Sequence, residues 1–262
     1  MKNLFSLKDK VVLITGGIGY LGSAVVKGMV AHDATVMIAD VLDKIPEGLF
    51  TEEELKSIGY VKADISDTNS IKEMFRYTKE VFKKIDVLIN CAAYGAGYGK
   101  ESIIATTPDE VFIKGLDGTI GTVFRCTREV IPYFEENGGG VIVNFASMYG
   151  MVSPDPSIYG NSGQNNPANY GAGKAATIQF TRYCAAHLAD KNIRVNCVTP
   201  GPFPSPKKLP PEDFLQHLRN KTMLKRVGKA EEIVGAVILL ASDASSFMTG
   251  ANIVVDGGWT AW

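Results

Sequence analysis

The stretch Val11-Val12-Leu13-Ile14-Thr15-Gly16-Gly17-Ile18-Gly19-Tyr20-Leu21-Gly22 decides the fold. A short apolar run of strand type breaks directly into a glycine-rich turn, and the segment from 20 to 31 follows as a helix. Glycines at 16, 19 and 22 tighten the turn, let backbone approach a pyrophosphate, and seat the helix on the sheet with its N-terminal amides facing the anion. Gly17, Tyr20 and Leu21 share that turn and are counted with the expected cofactor-binding residues. Next, Ala34 to Ala39 reads as a second strand ending in Asp40, 18 residues beyond Gly22. An acid there accepts hydrogen bonds from both ribose hydroxyls and repels a 2'-phosphate, which favours NAD over NADP. No Arg or Lys stands in the turn or directly after Asp40 to hold such a phosphate. A capping or loop role is the other reading of Asp40.

The alternation continues down the chain. Tyr60-Val61-Lys62-Ala63 leads to Asp64-Ile65, a helix spans Thr68 to Lys83, and Asp86 to Ile89 is a strand ending in Asn90-Cys91-Ala92-Ala93. The small residues after Asn90 leave room for a flat ligand. Residues 94 to 102 read as a glycine-rich loop, and Pro108 to Glu136 as one long, glycine-interrupted helical region stopped by Gly138-Gly139-Gly140. Val141 to Phe145 is the fifth strand and delivers Ala146-Ser147 at its carboxyl end. A helix carrying Tyr170, the strand Ile193 to Val198 and the turn Thr199-Pro200-Gly201-Pro202 follow. Last come a proline-rich segment from Phe203 to Pro211, a helix ending near Lys221, a helix from Ala230 to Ala241 and the strand Ile253 to Val255. Strands alternating with helices at this spacing predict a single α/β domain over 1–262, a doubly wound parallel sheet of about seven strands with its ligand crevice at the strands' carboxyl ends. An inserted loop at 153–166 and a mobile substrate segment at 202–221 are expected within it.

Tyr170 and Lys174 lie four residues apart and so share a helix face. A free phenol titrates near ~10 and transfers protons poorly at neutral pH, whereas an adjacent ammonium favours the phenolate. Ala172, Ala176, Phe180, Cys184 and Leu188 recur every fourth position and predict the stripe that this helix buries. A Tyr and a Lys at this spacing are often only a solvated helix face. Here Gly16, Gly22, Asp40, Asn90, Ser147 and Pro200-Gly201 all follow strand ends, so the predicted sheet gathers them on one edge with the pair.

Composition narrows the class. The 262 residues are 45% hydrophobic with a net charge of -1 and both signs dispersed, which argues against a nucleic-acid track or an anionic membrane as partner. Cys91, Cys126, Cys184 and Cys197 are widely spaced in apolar segments, so free thiols are expected in place of disulfides or a metal site. No apolar run approaches the ~20 residues of a membrane span, and residues 1 to 10 lack a signal-peptide core, which predicts a soluble, cytoplasmic protein. His32, His187 and His217 have no partners in sequence and read as helix-surface residues.

Together these motifs resemble the short-chain dehydrogenase/reductase family, over residues 7 to 259. The resemblance rests on Thr15-Gly16 to Gly22, Asp64-Ile65, Asn90-Cys91-Ala92-Ala93, Val143 to Ser147, Tyr170 to Lys174, Arg194-Val195-Asn196 to Pro200-Gly201, and Val255 to Gly258. It implies a Rossmann-like fold in which Tyr170 is the general acid/base, Lys174 lowers its pKa and holds the nicotinamide ribose, and Ser147 hydrogen-bonds the substrate oxygen. It also implies that Asp64 and Ile65 flank the adenine, and that the turn beginning at Pro200 and Gly201 lies by the nicotinamide. Asn90 and Ala92 join the expected cofactor set.

Three departures from the family pattern stand out. Tyr20 occupies a place usually held by glycine, a spacing more like the nucleotide-sugar branch. The proton-relay Asn expected in the preceding helix is missing; Gly115, Asp117 and Thr119 lie there. Ser147 and Tyr170 are 23 residues apart, longer than usual, with the excess between Ser153 and Asn166. Tyr159 would restore a shorter spacing, but position 163 is Gly where its Lys would have to be. The insert is rich in amides and hydroxyls, which suits a polyhydroxylated ligand as well as a surface or subunit-contact loop. It also resembles a bacterial subgroup linked to flagellar nonulosonic-acid sugar pathways.

The leading expectation is an NAD-dependent enzyme interconverting a secondary alcohol and a ketone, on a sugar-derived substrate. An epimerase or dehydratase with retained NAD, and a non-catalytic dinucleotide-binding protein, are the alternatives. Trp259 and Trp262 near the chain end predict a covering surface, either a partner subunit in a homotetramer or homodimer or the chain's own cleft.

Overall fold

In the computed structural model, which describes residues 3–95, 103–160 and 165–262, the quoted apolar run becomes β1 (Val11–Thr15), buried along its whole length. A strand covered on both faces needs apolar residues on both, which is why the run is continuous and not alternating. β1 pairs in parallel with β2 (Thr35–Asp40) on one side and β4 (Val87–Asn90) on the other. The full sheet has seven strands in the order β3 (Ile58–Lys62), β2, β1, β4, β5 (Gly140–Phe145), β6 (Ile193–Pro200), β7 (Asn252–Val255), and every pairing is parallel. Strand order therefore reverses between β1 and β4, where a crevice opens at the carboxyl ends. The backbone ties the two together: the Val11 N–H donates to the Asp86 carboxylate at 2.8 Å across 75 residues.

Helices cover both faces. They are α1 (Tyr20–Ala31), α2 (Glu52–Leu55), α3 (Thr68–Phe82), α4 (Asp109–Leu116), α5 (Thr122–Glu136), α6 (Ala168–Leu188), α7 (Glu212–Lys221) and α8 (Val234–Ala241). One apolar cluster joins Val25 and Met29 of α1 with Val237 and Leu240 of α8 beneath β1 and β2. Another joins Met74 and Phe75 of α3, Phe134 of α5 and Cys184 of α6 on the opposite face. No helix among the described residues is long and apolar enough to cross a membrane, and all four cysteines are free thiols.

The structure refines the sequence reading at four points. The short helix α2 was not expected; Thr51 and Glu54 form a reciprocal capping box at its start. The long helical region after Pro108 runs unbroken to Glu136 as expected, and its glycine interruption takes the form of a π turn, Asp117–Gly121, in which the Thr119 hydroxyl donates to the Gly115 carbonyl at 2.8 Å. The buried face of α6 follows the predicted stripe only toward its end, where Cys184 and Leu188 are buried; Ala172 is exposed, Ala176 and Phe180 are half-buried, and Gly173, Thr177, Ile178 and Thr181 take the buried face. Thr177 and Thr181 hide their hydroxyls by donating to the carbonyls four residues back, at 2.9 and 2.8 Å, so polar residues occupy a face that a hydrophobic count assigns to solvent. Finally, the two tryptophans part company. Trp259 is 7% exposed, covered by its own chain, and Trp262 is 68% exposed with its indole N–H donating to the Lys221 carbonyl.

Residues 96–102 of the expected glycine-rich loop and 161–164 of the insert, Gly163 among them, lie outside the described residues.

Candidate active site

A cavity of about 750 Å³ opens at the β1–β4 reversal. Its floor is the glycine turn. Gly16 has φ +72°, in the left-handed region, and a Cβ at Gly22 would stand 2.1 Å from the Gly16 carbonyl oxygen, so α1 starts where only a bare backbone fits. Gly16, Gly19, Tyr20, Leu21 and Gly22 all face the cavity, while Gly17 is buried against Ile38 and Ile14 and supports the turn from below. Tyr20, in place of the usual glycine, turns its hydroxyl to accept from the Ala230 N–H at 3.2 Å and so ties the turn to the segment leading into α8.

At one end, Asp40 accepts from the Ile18 N–H at 3.3 Å and the Val41 N–H at 2.9 Å, which fixes its carboxylate on the cavity rim. Asp64 and Ile65 form the facing wall. The Asp64 carboxyl is held below its ordinary value by hydrogen bonds with Ser66. Behind them stands a cluster that sequence reasoning missed. Arg125 donates to both carboxylate oxygens of Asp117, at 2.7 and 3.0 Å, and to the Ile65 carbonyl at 3.3 Å, and Asp117 also receives the Tyr94 hydroxyl. Burial and then Asp117 push the Tyr94 phenol up to about 12. The signal was available only in three dimensions, since Tyr94, Asp117 and Arg125 come from separate elements. Tyr94, Lys114 and Phe203 also line the cavity and were not foreseen.

Ala92, Pro200 and Gly201 line the cavity as expected, and Asn90 lies just behind it. Asn90 donates to Asn144 at 2.9 Å, Asn144 donates to Thr181 at 2.9 Å, and the Asn90 Oδ1 is buried with no protein partner, immediately before Cys91 and Ala92 of the wall. The bare-backbone turn, the rim acid and the small-residue wall fit a dinucleotide.

Ser147, Tyr170 and Lys174 meet at the same cavity. Ser147 caps the turn after β5, accepting from the Tyr149 N–H at 3.2 Å, and its side chain stands near the Tyr170 phenol. Burial raises the Tyr170 phenol, and the neighbouring Ser147 hydroxyl pulls it back down. The expected lowering by Lys174 is not the governing effect: the ammonium is 5.8 Å from the Tyr170 ring centre and donates to the Phe145 carbonyl at 2.7 Å. Lys174 itself is 5% exposed, and burial lowers it to about 8. Gly115, Asp117 and Thr119, which stand where a relay Asn was expected, are used in packing α4 and the π turn: Gly115 lies against Asn169, and Asp117 pairs with Arg125.

The Lys174 value makes a testable statement about stability. The folded value lies below the ordinary lysine value near ~10.4, so between the two the unfolded chain binds more protons and stability rises with pH. Below about 8 the penalty for burying the ammonium is fully present. Lys174→Met is therefore expected to be more stable than the unmodified protein at pH 7 by about 1–2 kcal/mol, net of the lost bond to Phe145, with the gain fading by pH ~10. Thermal melts of both proteins at the two pH values check this, and a variant less stable at pH 7 contradicts it.

A sequence-family profile described as Enoyl-(Acyl carrier protein) reductase matches residues 16–260. The chain is 35% identical over 257 residues to 3-oxoacyl-(acyl-carrier-protein) reductase FabG of Thermotoga maritima, spanning 96% of this chain and 98% of that protein. It is similar to the solved structure of a short chain dehydrogenase from Leptospira borgpetersenii with bound NAD+, with a TM-score of 0.87, 33% identity and coverage of 99% and 96% of the two chains. It is also similar to an NADPH-dependent 3-quinuclidinone reductase from Rhodotorula rubra, with a TM-score of 0.88, 26% identity and coverage of 100% and 97%. One of these binds NAD+ and the other depends on NADPH, so the choice of cofactor rests on this chain's own rim residues.

Proposed function

The chain belongs to the short-chain dehydrogenase/reductase family, an NAD(P)-dependent oxidoreductase acting on CH-OH groups, and from that premise we propose that it interconverts a secondary alcohol and a ketone with NAD, on a sugar-derived substrate. The observation that carries this reading is the convergence of Ser147, Tyr170 and the buried Lys174 on the wall of one cavity.

In this reading Ser147 donates to the substrate oxygen and holds it against the Tyr170 phenol. Tyr170 takes the hydroxyl proton as the alcohol is oxidised and returns it in reduction, and Lys174 favours the charged form of the phenol and holds the cofactor's ribose. The bound nicotinamide supplies the hydride acceptor or donor. Gly16, Gly17, Gly19, Tyr20, Leu21 and Gly22 hold the pyrophosphate, Asp40 the adenosine ribose, Asp64 and Ile65 the adenine, and Asn90, Ala92, Pro200 and Gly201 the nicotinamide half. The hydroxyls and amides of Ser153, Ser157 and Asn165 in the insert support a polyhydroxylated substrate. Exposed aromatic side chains on α5 and α6, Phe124 at 45% and Tyr183 at 56%, support a homodimer or homotetramer that covers them. Four free thiols suit a reducing cytoplasm.

Asp40 supports NAD, because a carboxylate fixed by two backbone amides cannot turn away from a 2'-phosphate. Release of free NADH on a panel of polyols tests the reaction. Asp40→Ala should weaken NAD about tenfold and bring NADP to within a few-fold of it. An unmodified protein that already prefers NADP sinks the cofactor assignment.

A further inference from the structure

The charged side chains that line the cavity are not equally occupied. Asp40 accepts from the Ile18 and Val41 amides, Asp64 accepts from the Ser66 N–H at 2.8 Å, and the buried Lys174 donates to the Phe145 carbonyl. Lys114 of α4 lines the same cavity, is exposed, and has no hydrogen bond or ion pair among the described residues. Asp117, three residues on, does not neutralise it, because Arg125 engages both of its oxygens at 2.7 and 3.0 Å. Glu110, one turn back on the exposed side of α4, forms no ion pair with it either.

The backbone that carries this ammonium is locked beside the proposed proton-transfer residue. Asn169, which immediately precedes Tyr170, donates from Nδ2 to the Val111 carbonyl of α4 at 2.9 Å. A Cβ at Gly115 would stand 2.1 Å from that same nitrogen, and one at Gly173 would stand 1.7 Å from the Thr119 hydroxyl oxygen. Bare backbone on α4 meets α6, and bare backbone on α6 meets the π turn, so neither helix can shift without a clash. Lys114 adjoins Gly115 and is thereby held at a fixed position relative to Tyr170. Its stem passes Gly95, where φ is +75° and a Cβ would stand 2.9 Å from the Lys114 carbonyl oxygen and 3.2 Å from its Cγ. Glycine there leaves the room that the stem occupies.

An ammonium without a partner in a concave site is a counter-charge for an anion. The pyrophosphate of a dinucleotide has its own cradle in the amides at the start of α1. The anion to be met from α4, on the side of Tyr170, is therefore the substrate's. We propose that Lys114 binds a carboxylate or phosphate of the substrate, so that the preferred substrate is a sugar-derived hydroxy acid or phosphorylated alcohol and not a neutral polyol. This rests on the dehydrogenase reading above and narrows its substrate. A compact point charge on a flexible stem suits either anion, where a guanidinium fork would select by geometry.

Lys114→Met keeps the stem and removes the charge, and Lys114→Arg keeps the charge. Gluconate, sorbitol 6-phosphate and sorbitol share a carbon chain and differ in charge. Calorimetric titration of each into protein saturated with NADH, where an alcohol binds without being oxidised, reads the affinity, and thermal melts show that each variant is folded. The unmodified protein is expected to bind at least one of the two anions about tenfold or more tightly than sorbitol. Lys114→Met should bring that anion to the level of sorbitol, Lys114→Arg should stay within about threefold of the unmodified protein, and NAD affinity should stay within about twofold in both. No preference for either anion, or a preference that survives in Lys114→Met, overturns the proposal. A loss of NAD affinity of tenfold or more in Lys114→Met overturns it too, because the anion is then the cofactor's own phosphate. Release of NADH from NAD scores the dehydrogenase reading separately. Anion binding that depends on Lys114, with no NADH released from any of the three, sustains the anion site and sinks that reading; NADH released from sorbitol with no effect of Lys114→Met does the reverse.

Discussion

Tyr170→Phe is expected to lower turnover by about 1,000-fold while the affinity for the dinucleotide stays within about twofold. The substitution removes one oxygen and leaves the ring, which lies on the cavity wall with Lys174 5.8 Å from its centre. In the proposed mechanism that oxygen is where the proton is held, and an aliphatic hydroxyl is a weak group that needs a separate base. Burial raises the phenol, and without its oxygen the variant has no group left at that point to exchange a proton. Single-turnover kinetics separate the chemical step from release, and calorimetric titration reads the affinity. Turnover within tenfold of the unmodified protein would remove Tyr170 from the mechanism.

The second large effect is expected from Gly22→Ala. One methyl group would sit 2.1 Å from the Gly16 oxygen and 3.0 Å from the Gly17 Cα, both backbone atoms that cannot rotate aside. The turn has to open or α1 has to lift, and either move spoils amides aimed at a pyrophosphate. A loss of dinucleotide affinity of at least about 100-fold is expected, close to 3 kcal/mol. Gly235→Ala is the control, because a Cβ there meets nothing within 4 Å and alanine favours the helix. Equal affinity in the two variants would mean that the turn is not the phosphate cradle.

Much of this was legible in the chain because parallel strands covered on both faces must be written as apolar runs, as in Val11 to Ile14 and Asp86 to Ile89, and because glycines at fixed offsets mark where backbone must approach a ligand. Strand ends then placed Asp40, Ser147 and Pro200 on one edge without further information. What was illegible has equally physical causes. The buried face of the first half of α6 is lined with Thr177 and Thr181, whose hydroxyls turn back on the helix, so apolar periodicity found the face only from Cys184 onward. The π turn at Asp117–Gly121 has no periodicity of its own. Arg125 donates to the Tyr94 hydroxyl beside the cavity, a contact between residues 31 apart that no local pattern records. For α2 a signal did exist in Thr51 and Glu54, but four residues are too few for a stripe.

The seam between β1 and β4 divides the site as well as the sheet. The turn and Asp40 belong to the part of the chain before it, and Ser147, Tyr170 and Lys174 to the part after it. A contact such as that between Val11 and Asp86 closes a loop of 75 residues, and its entropy is lost before the pairing compensates. In the proposed reading a dinucleotide is held by residues from both portions, so its binding would report that the seam has closed. A ligand that holds only the closed state stabilises it by mass action, about 2.7 kcal/mol at a hundredfold excess over its Kd. Added dinucleotide would then be expected to slow proteolysis of the folded chain even with no substrate present.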